Sequence, residues 1–367
     1  MTRLSLFFFF FGICSHVALA QVFEPVFPEY VGEELRDSLA ARFRPASVLD
    51  YANARDTLFA KVLAVDDDTL RCIYSGHKLY LDPTQDPTQY VYLNGSSLGM
   101  NTEHAYPQSK GASKGNPRSD MHHLFPARIP VNEARGNAPY AEIPDALTQK
   151  WFRGTQILFS VPTSHIDEYT ESRSGAFEPR ESVKGDVARA VFYFYTVYRG
   201  QANAADPNFF ESQRLTLCQW NEQDPPDSAE LVKTWRIATY QDGKPNPFVL
   251  DCTLAHRCWC PDVPTTCTML SIEERPADLL VPRLSPNPFN GQGKLQAYLP
   301  FDGRLDIVFR SMLGKEVAKW VVPNASAGAF EFDVEIPPTA RAQMGIMEIH
   351  LTDGQRIAKG VVRVVGW

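Results

Sequence analysis

Apolar positions recur at helical spacing over residues 33–41 and 52–65, predicting two helices that each pack one face on a core. Residues 70–81 alternate apolar and polar side chains, the period of a half-buried strand. The tandem Asp-Pro-Thr-Gln copies of 82–89 read as a loop. From 101 to 140 periodicity gives way to punctuation by Pro107, Gly111, Gly115, Pro117, Pro126 and Pro130, which predicts turns. Within it, 120–125 fits a short strand or a single turn, and 131–136 a short helix. Residues 154–162 read as a buried strand. Residues 185–198 form a core helix with Asp186 at its start and Gly200 past its end. Its aromatic residues Phe192, Tyr193, Phe194, Tyr195 and Tyr198 have the spacing of core side chains rather than of a base-stacking platform. Two more helices follow at 211–221 and 228–240, Asn246-Pro247-Phe248 closes the core, and 251–267 is a loop-rich, cysteine-rich appendix.

The pattern changes after residue 275. Proline and polar residues over 276–290 mark a linker, and the remainder alternates in short runs (305–309, 317–321, 330–336, 347–351, 360–365) between turn residues. That spacing predicts a small all-β sandwich of about seven strands. The expected fold class is α+β: a mixed helical domain over 21–275, a linker over 276–290 and a β-sandwich over 291–367.

With 367 residues the chain can bury two separate cores. Residues 1–20 carry Arg3, an apolar run with five phenylalanines, and Ala18-Leu19-Ala20, the plan of a signal peptide rather than a membrane span. Export makes disulfides the expected use of the cysteines. Of the seven, Cys14 falls in the leader, leaving Cys72, Cys218, Cys252, Cys258, Cys260 and Cys267 for up to three bridges of open connectivity, with Cys72 tied to a later cysteine. A zinc site from Cys252, Cys258, Cys260 and Cys267, with His256 nearby, is the alternative, although the spacing lacks paired Cys-x-x-Cys units.

The net charge of -7 argues against a general nucleic-acid coat. It leaves room for an enzyme with a local basic track, and Lys110, Lys114, Arg118, Arg128 and Arg135 outnumber Glu103, Asp120 and Glu133 between 101 and 135.

The same stretch concentrates chemistry. Glu103 and His104 are adjacent, Asp120, His122 and His123 follow, and Asn132 and Asn137 lie late in it. A phosphodiester hydrolase needs a base for water and positive charge for the pentacovalent phosphate. His104 is the candidate base. Glu103, with an amide oxygen from Asn132 or Asn137, would suit Mg²⁺, which prefers hard oxygen donors and keeps several waters. His122 and His123 are read as hydrogen-bonding supports rather than as catalysts.

The order Asn101-Thr-Glu-His-x-x-Pro-Gln-Ser, Ser119-Asp-Met-His-His-Leu-x-Pro and Val131-Asn-x-x-Arg-Gly-Asn-x-x-Tyr140 resembles the endonuclease I family of secreted nonspecific nucleases. The likeness continues through Lys184-Gly-Asp-Val-Ala-Arg-Ala190 and Asn246-Pro-Phe248. It implies a ββα-metal (His-Me) finger with His104 as general base and Glu103 and Asn132 as ligands of Mg²⁺, for which Ca²⁺ or Mn²⁺ can substitute. Asn137 is the runner-up ligand, and Arg135 is expected to approach a phosphate. Arg118 is the one arginine between the Glu-His pair and the Asp-x-His run. The implied substrates are DNA and also RNA, cut without sequence preference to 5′-phosphate products by a monomer. Leu284-Ser-Pro-Asn-Pro-Phe-Asn290, Leu313-Gly-Lys-Glu-Val317 and Lys359-Gly-Val-Val-Arg-Val364 resemble a C-terminal sorting domain of the type IX secretion system of Bacteroidetes-like bacteria. That implies the type IX machinery as partner and a secreted or cell-surface location. The rival reading is a surface-attached nucleic-acid-binding or adhesive protein with a decayed nuclease centre.

Overall fold

Buried apolar side chains collect in two clusters, one drawn from Leu35 to Cys260 and the other from Leu280 to Val364. The computed structural model describes residues 26–65, 67–267, 280, 282–285, 291–311, 315–336 and 345–364. The signal-peptide reading of 1–20 and most of the 276–290 linker fall outside the described residues. Helix makes up 36% and strand 26%, a mixed class, and the region after residue 280 is all-β.

The first helix, Gly32–Phe43, buries Leu35, Leu39 and Phe43. Helix α1, Tyr51–Thr57, starts where the Asp50 carboxylate accepts the backbone N–H groups of Ala52 and Asn53, and it runs into a π-helical segment, Leu58–Leu63. The strand expected at 70–81 is instead a hairpin of two short strands, Thr69–Arg71 and Lys78–Tyr80, around a turn in which Cys72 N–H bonds the His77 carbonyl at 2.8 Å. Nor is 82–89 wholly loop. The second Asp-Pro pair opens a helix, Pro87–Tyr92, with Asp86 accepting Gln89 N–H and Pro87 in the first turn, where a missing N–H costs nothing.

Strand β1, Met100–His104, pairs antiparallel with β2, Leu124–Arg128, so that Glu103 faces Phe125 and His104 faces Leu124 across the ladder. Helix α2, Ile129–Arg135, follows at once. It begins two residues before the proline-free segment because Pro130 occupies its first turn, the place where proline suits a helix. Gly136, at φ 55°, ends it and donates its N–H to the Asn132 carbonyl at 2.9 Å.

A four-stranded antiparallel sheet comes next, built from β3 (Lys150–Arg153), β4 (Gln156–Leu158), β5 (Thr170–Arg173) and β6 (Ala176–Glu178) in the order β4-β3-β5-β6. The buried strand expected at 154–162 is a correction. Only three residues pair, at the sheet edge, and Phe159 is 75% exposed. A short apolar run looks the same in sequence whether its strand is central or at an edge.

Helix α3, Lys184–Val197, is buried on nearly every side, as an apolar surface all round requires. Its Phe194 ring stacks on Tyr106 with centroids 4.3 Å apart, so its aromatics are core. The start of α3 lies so close to the chain that a Cβ on Gly185 would sit 1.8 Å from the Asp224 carbonyl oxygen, which only glycine permits. The helices Arg214–Gln223 and Ser228–Ala238 complete this unit.

The 251–267 segment is no appendix. Leu254, Ala255 and Cys258 of the helix Leu254–Cys258 are buried in the first cluster. Disulfides Cys218–Cys260 and Cys252–Cys267 tie it down, each of a kind that stabilises by about 2–4 kcal/mol. These pairs remove the zinc alternative, because they use three of its four thiols. Cys258 is buried, which pushes its thiol up to about 12, away from the thiolate a metal needs. Cys72 is a free, buried thiol that accepts N–H groups from Ser75 and Arg128, not a disulfide partner.

Among the described residues after 280, seven strands form two antiparallel sheets, of three and four strands. Leu295, Leu299 and Val334 from one and Ile307, Phe309 and Ile349 from the other meet in a single cluster, the packing of a sandwich. Among the described residues no helix is long and apolar enough to cross a membrane.

Candidate active site

Alternation along β1 sends neighbouring side chains to opposite faces, so Glu103 and His104 occupy different environments although they adjoin in sequence. The Glu103 carboxylate is buried beneath α2. Its Oε1 accepts the Tyr74 hydroxyl at 2.6 Å and lies 3.3 Å from Arg135 Nη1. Tyr74 in turn meets the Tyr140 hydroxyl at 2.8 Å. Burial raises the Glu103 pKa, and the Arg135 charge and the Tyr74 hydrogen bond oppose that rise.

His104 lies with its ring 5.5 Å from Tyr51 and 5.4 Å from His123. Its Nε2 is 3.0 Å from the Arg118 carbonyl. A carbonyl only accepts, so Nε2 carries the proton and Nδ1 keeps its lone pair. Burial depresses its pKa to about 4, and the Arg118, Arg135 and Arg55 charges push the same way. The imidazole is therefore neutral near pH 7, the form that can take a proton.

Two guanidinium groups gather on Tyr51, with Arg118 Cζ 4.1 Å and Arg55 Cζ 4.6 Å from its ring centroid. Among the described residues neither is ion-paired to a carboxylate, and Arg118 Nε is buried without a hydrogen-bond partner. Unneutralised cations beside a buried neutral imidazole make an environment that favours an anion.

Asn132 points from α2 back to β1. Its Nδ2 donates to Asn101 Oδ1 at 2.7 Å. Asn101 shares a strand face with Glu103, so the carboxylate and both carboxamides belong to the same side of β1. The donation uses the Asn132 nitrogen and leaves its Oδ1 for another partner. Asn137 is not brought there; it is exposed and donates to Ser109 Oγ at 3.3 Å.

Arg135 is where the structure departs most from the sequence expectation. Its side chain is only 1% exposed. It donates to the carbonyls of His104 at 3.1 Å and Ala105 at 2.8 Å, and lies 4.8 Å from the Tyr140 ring centroid. Those contacts brace the end of β1 and commit the guanidinium to the protein's own acceptors. His122 and His123 are also internal. His122 Nε2 meets the Lys244 carbonyl at 2.8 Å and His123 Nε2 the Pro117 carbonyl at 2.7 Å.

Tyr51, Arg55, Tyr74, Asn101 and Tyr140 were absent from the sequence-level site. Asn101 had a usable signal, because it stands two residues before Glu103 on a strand. Tyr51 and Arg55 stand four apart on a helix, which puts them on one face but gives no hint that the face meets His104.

A carboxylate and an amide oxygen on one face fit a hard, largely hydrated cation. Among the described residues no three His, Cys, Asp or Glu side chains converge on a metal position, so a cage made wholly of such ligands is not the arrangement here.

Residues 31–252 match the family described as Endonuclease I. Among curated proteins, the chain is 32% identical over 181 residues to an extracellular ribonuclease of Bacillus subtilis (strain 168), covering 46% of this chain and 57% of the relative. It is 31% identical over 185 residues to an extracellular ribonuclease of Bacillus amyloliquefaciens, covering 45% and 56%. An extracellular deoxyribonuclease of Aeromonas hydrophila is 29% identical over 130 residues, covering 35% and 48%. The chain spans about half the length of the curated relatives it matches.

Proposed function

The chain belongs to the endonuclease I family, and from that premise we propose that it is an exported, Mg²⁺-dependent endonuclease, acting as a monomer. It hydrolyses phosphodiester bonds of DNA, and of RNA, without sequence preference and leaves 5′-phosphate ends. The observation that carries the reading is a neutral His104, its Nδ1 lone pair uncommitted, adjoining Glu103 on β1, with Asn132 of α2 brought to the Glu103 side of the same strand. The relatives' names include both ribonuclease and deoxyribonuclease, which suits a site that grips backbone rather than bases.

In this reading β1, β2 and α2 are a ββα-metal finger. Glu103 and Asn132 would hold Mg²⁺, with Ca²⁺ or Mn²⁺ as substitutes. The cation supplies positive charge for the phosphate and the leaving 3′ oxygen. His104 Nδ1 takes the proton of the attacking water while Nε2–H stays on the Arg118 carbonyl, which fixes the ring. Arg118 and Arg55 balance negative charge on the phosphate from the Tyr51 side. Arg135 positions rather than catalyses, holding the His104 and Ala105 carbonyls and Glu103 in register.

Plasmid nicking tests it. Protein stripped with EDTA should be inactive and regain activity with Mg²⁺, and Asn132→Ala should need about tenfold more Mg²⁺ or more for half-maximal rate, the size expected when a metal's support is removed. Equal nicking by metal-free and Mg²⁺-loaded protein would refute the proposal.

The relatives' extracellular and periplasmic names support export. The sandwich is proposed as the type IX sorting signal. Deleting 284–367 should leave nicking in vitro intact while the protein accumulates inside the outer membrane; unchanged release from the cell would reject that role.

A further inference from the structure

We propose that a cleft beside α2 is a second nucleic-acid subsite, which holds the substrate strand away from the bond being cut; this rests on the nuclease reading. The cleft has a volume of about 710 Å³. Its walls are the C-terminal turn of α2, the ends of β3 and β5, and the 206–212 segment. Asn132 faces β1 from one side of α2. Glu133, the next residue of α2, and Asn137, just past its end, line the cleft, so it begins beside the element that carries Asn132.

Its charges are unevenly spent. Lys110 is paired with Asp206 at 2.8 Å, and Arg135 is committed to Glu103. Lys150 and Arg173 are exposed, and among the described residues neither has an ion-pair partner. Lys150 stands opposite Ser172 at the start of β3, and Arg173 follows Ser172 at the end of β5; alternation starts the two side chains on opposite faces, but at these strand ends both residues line the cleft. Among the described residues Glu133 is the one acidic side chain of the lining that no cation neutralises. Two exposed cations lining a polar cleft in a chain of net charge -7 call for an anion.

The other lining groups narrow its kind. Among the described residues Phe209 is the one aromatic side chain of the wall, and it is buried with Lys110 Nζ 5.3 Å from its ring centroid, which leaves little apolar surface for a hydrophobic ligand. Asn137 donates to Ser109 and keeps its Oδ1 for a sugar or base donor. Two separate cations for phosphates with neutral hydrogen-bonding groups beside them suit successive nucleotides of a strand, bound with little sequence preference.

The test uses the full chain in EDTA, where nothing is cut, and fluorescence anisotropy of a labelled single strand of about 12 nucleotides. Changing both Lys150→Glu and Arg173→Glu should weaken binding about tenfold or more. It should also flatten the slope of log K against log salt by about 1.4, two phosphates' worth for single strands. Lys150→Arg with Arg173→Lys should bind as the native chain does. Hydrolysis of bis(p-nitrophenyl) phosphate, which is too short to reach the cleft, should be equal in native chain and double-Glu variant. Unchanged affinity and salt slope in the double-Glu variant would overturn the subsite, as would loss of the small-substrate rate in step with strand binding. A native chain that binds as described but cleaves neither substrate would instead refute the nuclease reading and leave the subsite standing.

Discussion

His104→Ala should lower the rate of plasmid cleavage at saturating Mg²⁺ by about 10³-fold, within the range of roughly 10²–10⁴ for removing a positioned general base. Three features of the site set that expectation. Nε2 is occupied by the Arg118 carbonyl, so one ring nitrogen alone is left for the water proton. Burial keeps the ring neutral. Among the described residues no second imidazole stands ready, since His123, 5.4 Å away ring to ring, has Nε2 on Pro117 and is wholly buried. Substrate affinity should change little, because the variant keeps the Arg55 and Arg118 guanidinium groups. A variant that nicks at the native rate would remove His104 from the mechanism, and one with normal turnover but a raised KM would make it a binding group.

What the sequence disclosed, and what it hid, divides along a physical line. Local chemistry was readable: the heavily apolar run of α3 between Asp186 and Gly200, the period-2 runs of the sandwich, and Glu103 next to His104 on an extended segment. Contacts made across the fold were not. Arg135 looks like any motif arginine until β1 is seen to end at the carbonyls it grips. Tyr74 and Tyr140 are far apart in the chain and meet only over the buried Glu103 carboxylate. The 154–162 run failed for a related reason, since burial of an apolar segment depends on which strands flank it, and β4 has a neighbour on one side only. The cysteines follow the same rule: parity suggested three bridges, while the fold buried Cys72 among backbone donors and left Cys258 unpaired.

The second large effect concerns stability rather than turnover. Asp120→Ala should destabilise the chain by about 3–5 kcal/mol, because several buried donors lose their acceptor together and each unsatisfied group costs about 1–3 kcal/mol. Asp120 is fully buried. Its Oδ2 accepts the hydroxyls of Tyr193 at 2.9 Å and Tyr198 at 2.8 Å, both in or just after α3. Its Oδ1 accepts Gln241 Nε2 at 2.8 Å and the backbone N–H of His122 at 3.0 Å. The residue thus ties the turn between β1 and β2 to the core helix, and through that turn supports Arg118, whose carbonyl orients His104. Asp120→Asn should cost less, about 1–2 kcal/mol, because the amide keeps one acceptor oxygen and a tyrosine hydroxyl can rotate to accept its N–H. Urea unfolding of the three proteins checks the order, and nicking measured well below the transition should show Asp120→Asn turning over at close to the native rate per folded molecule. A large loss of turnover in Asp120→Asn without loss of stability would place Asp120 in the chemistry, and an Asp120→Ala variant as stable as the native chain would show that its donors find water instead.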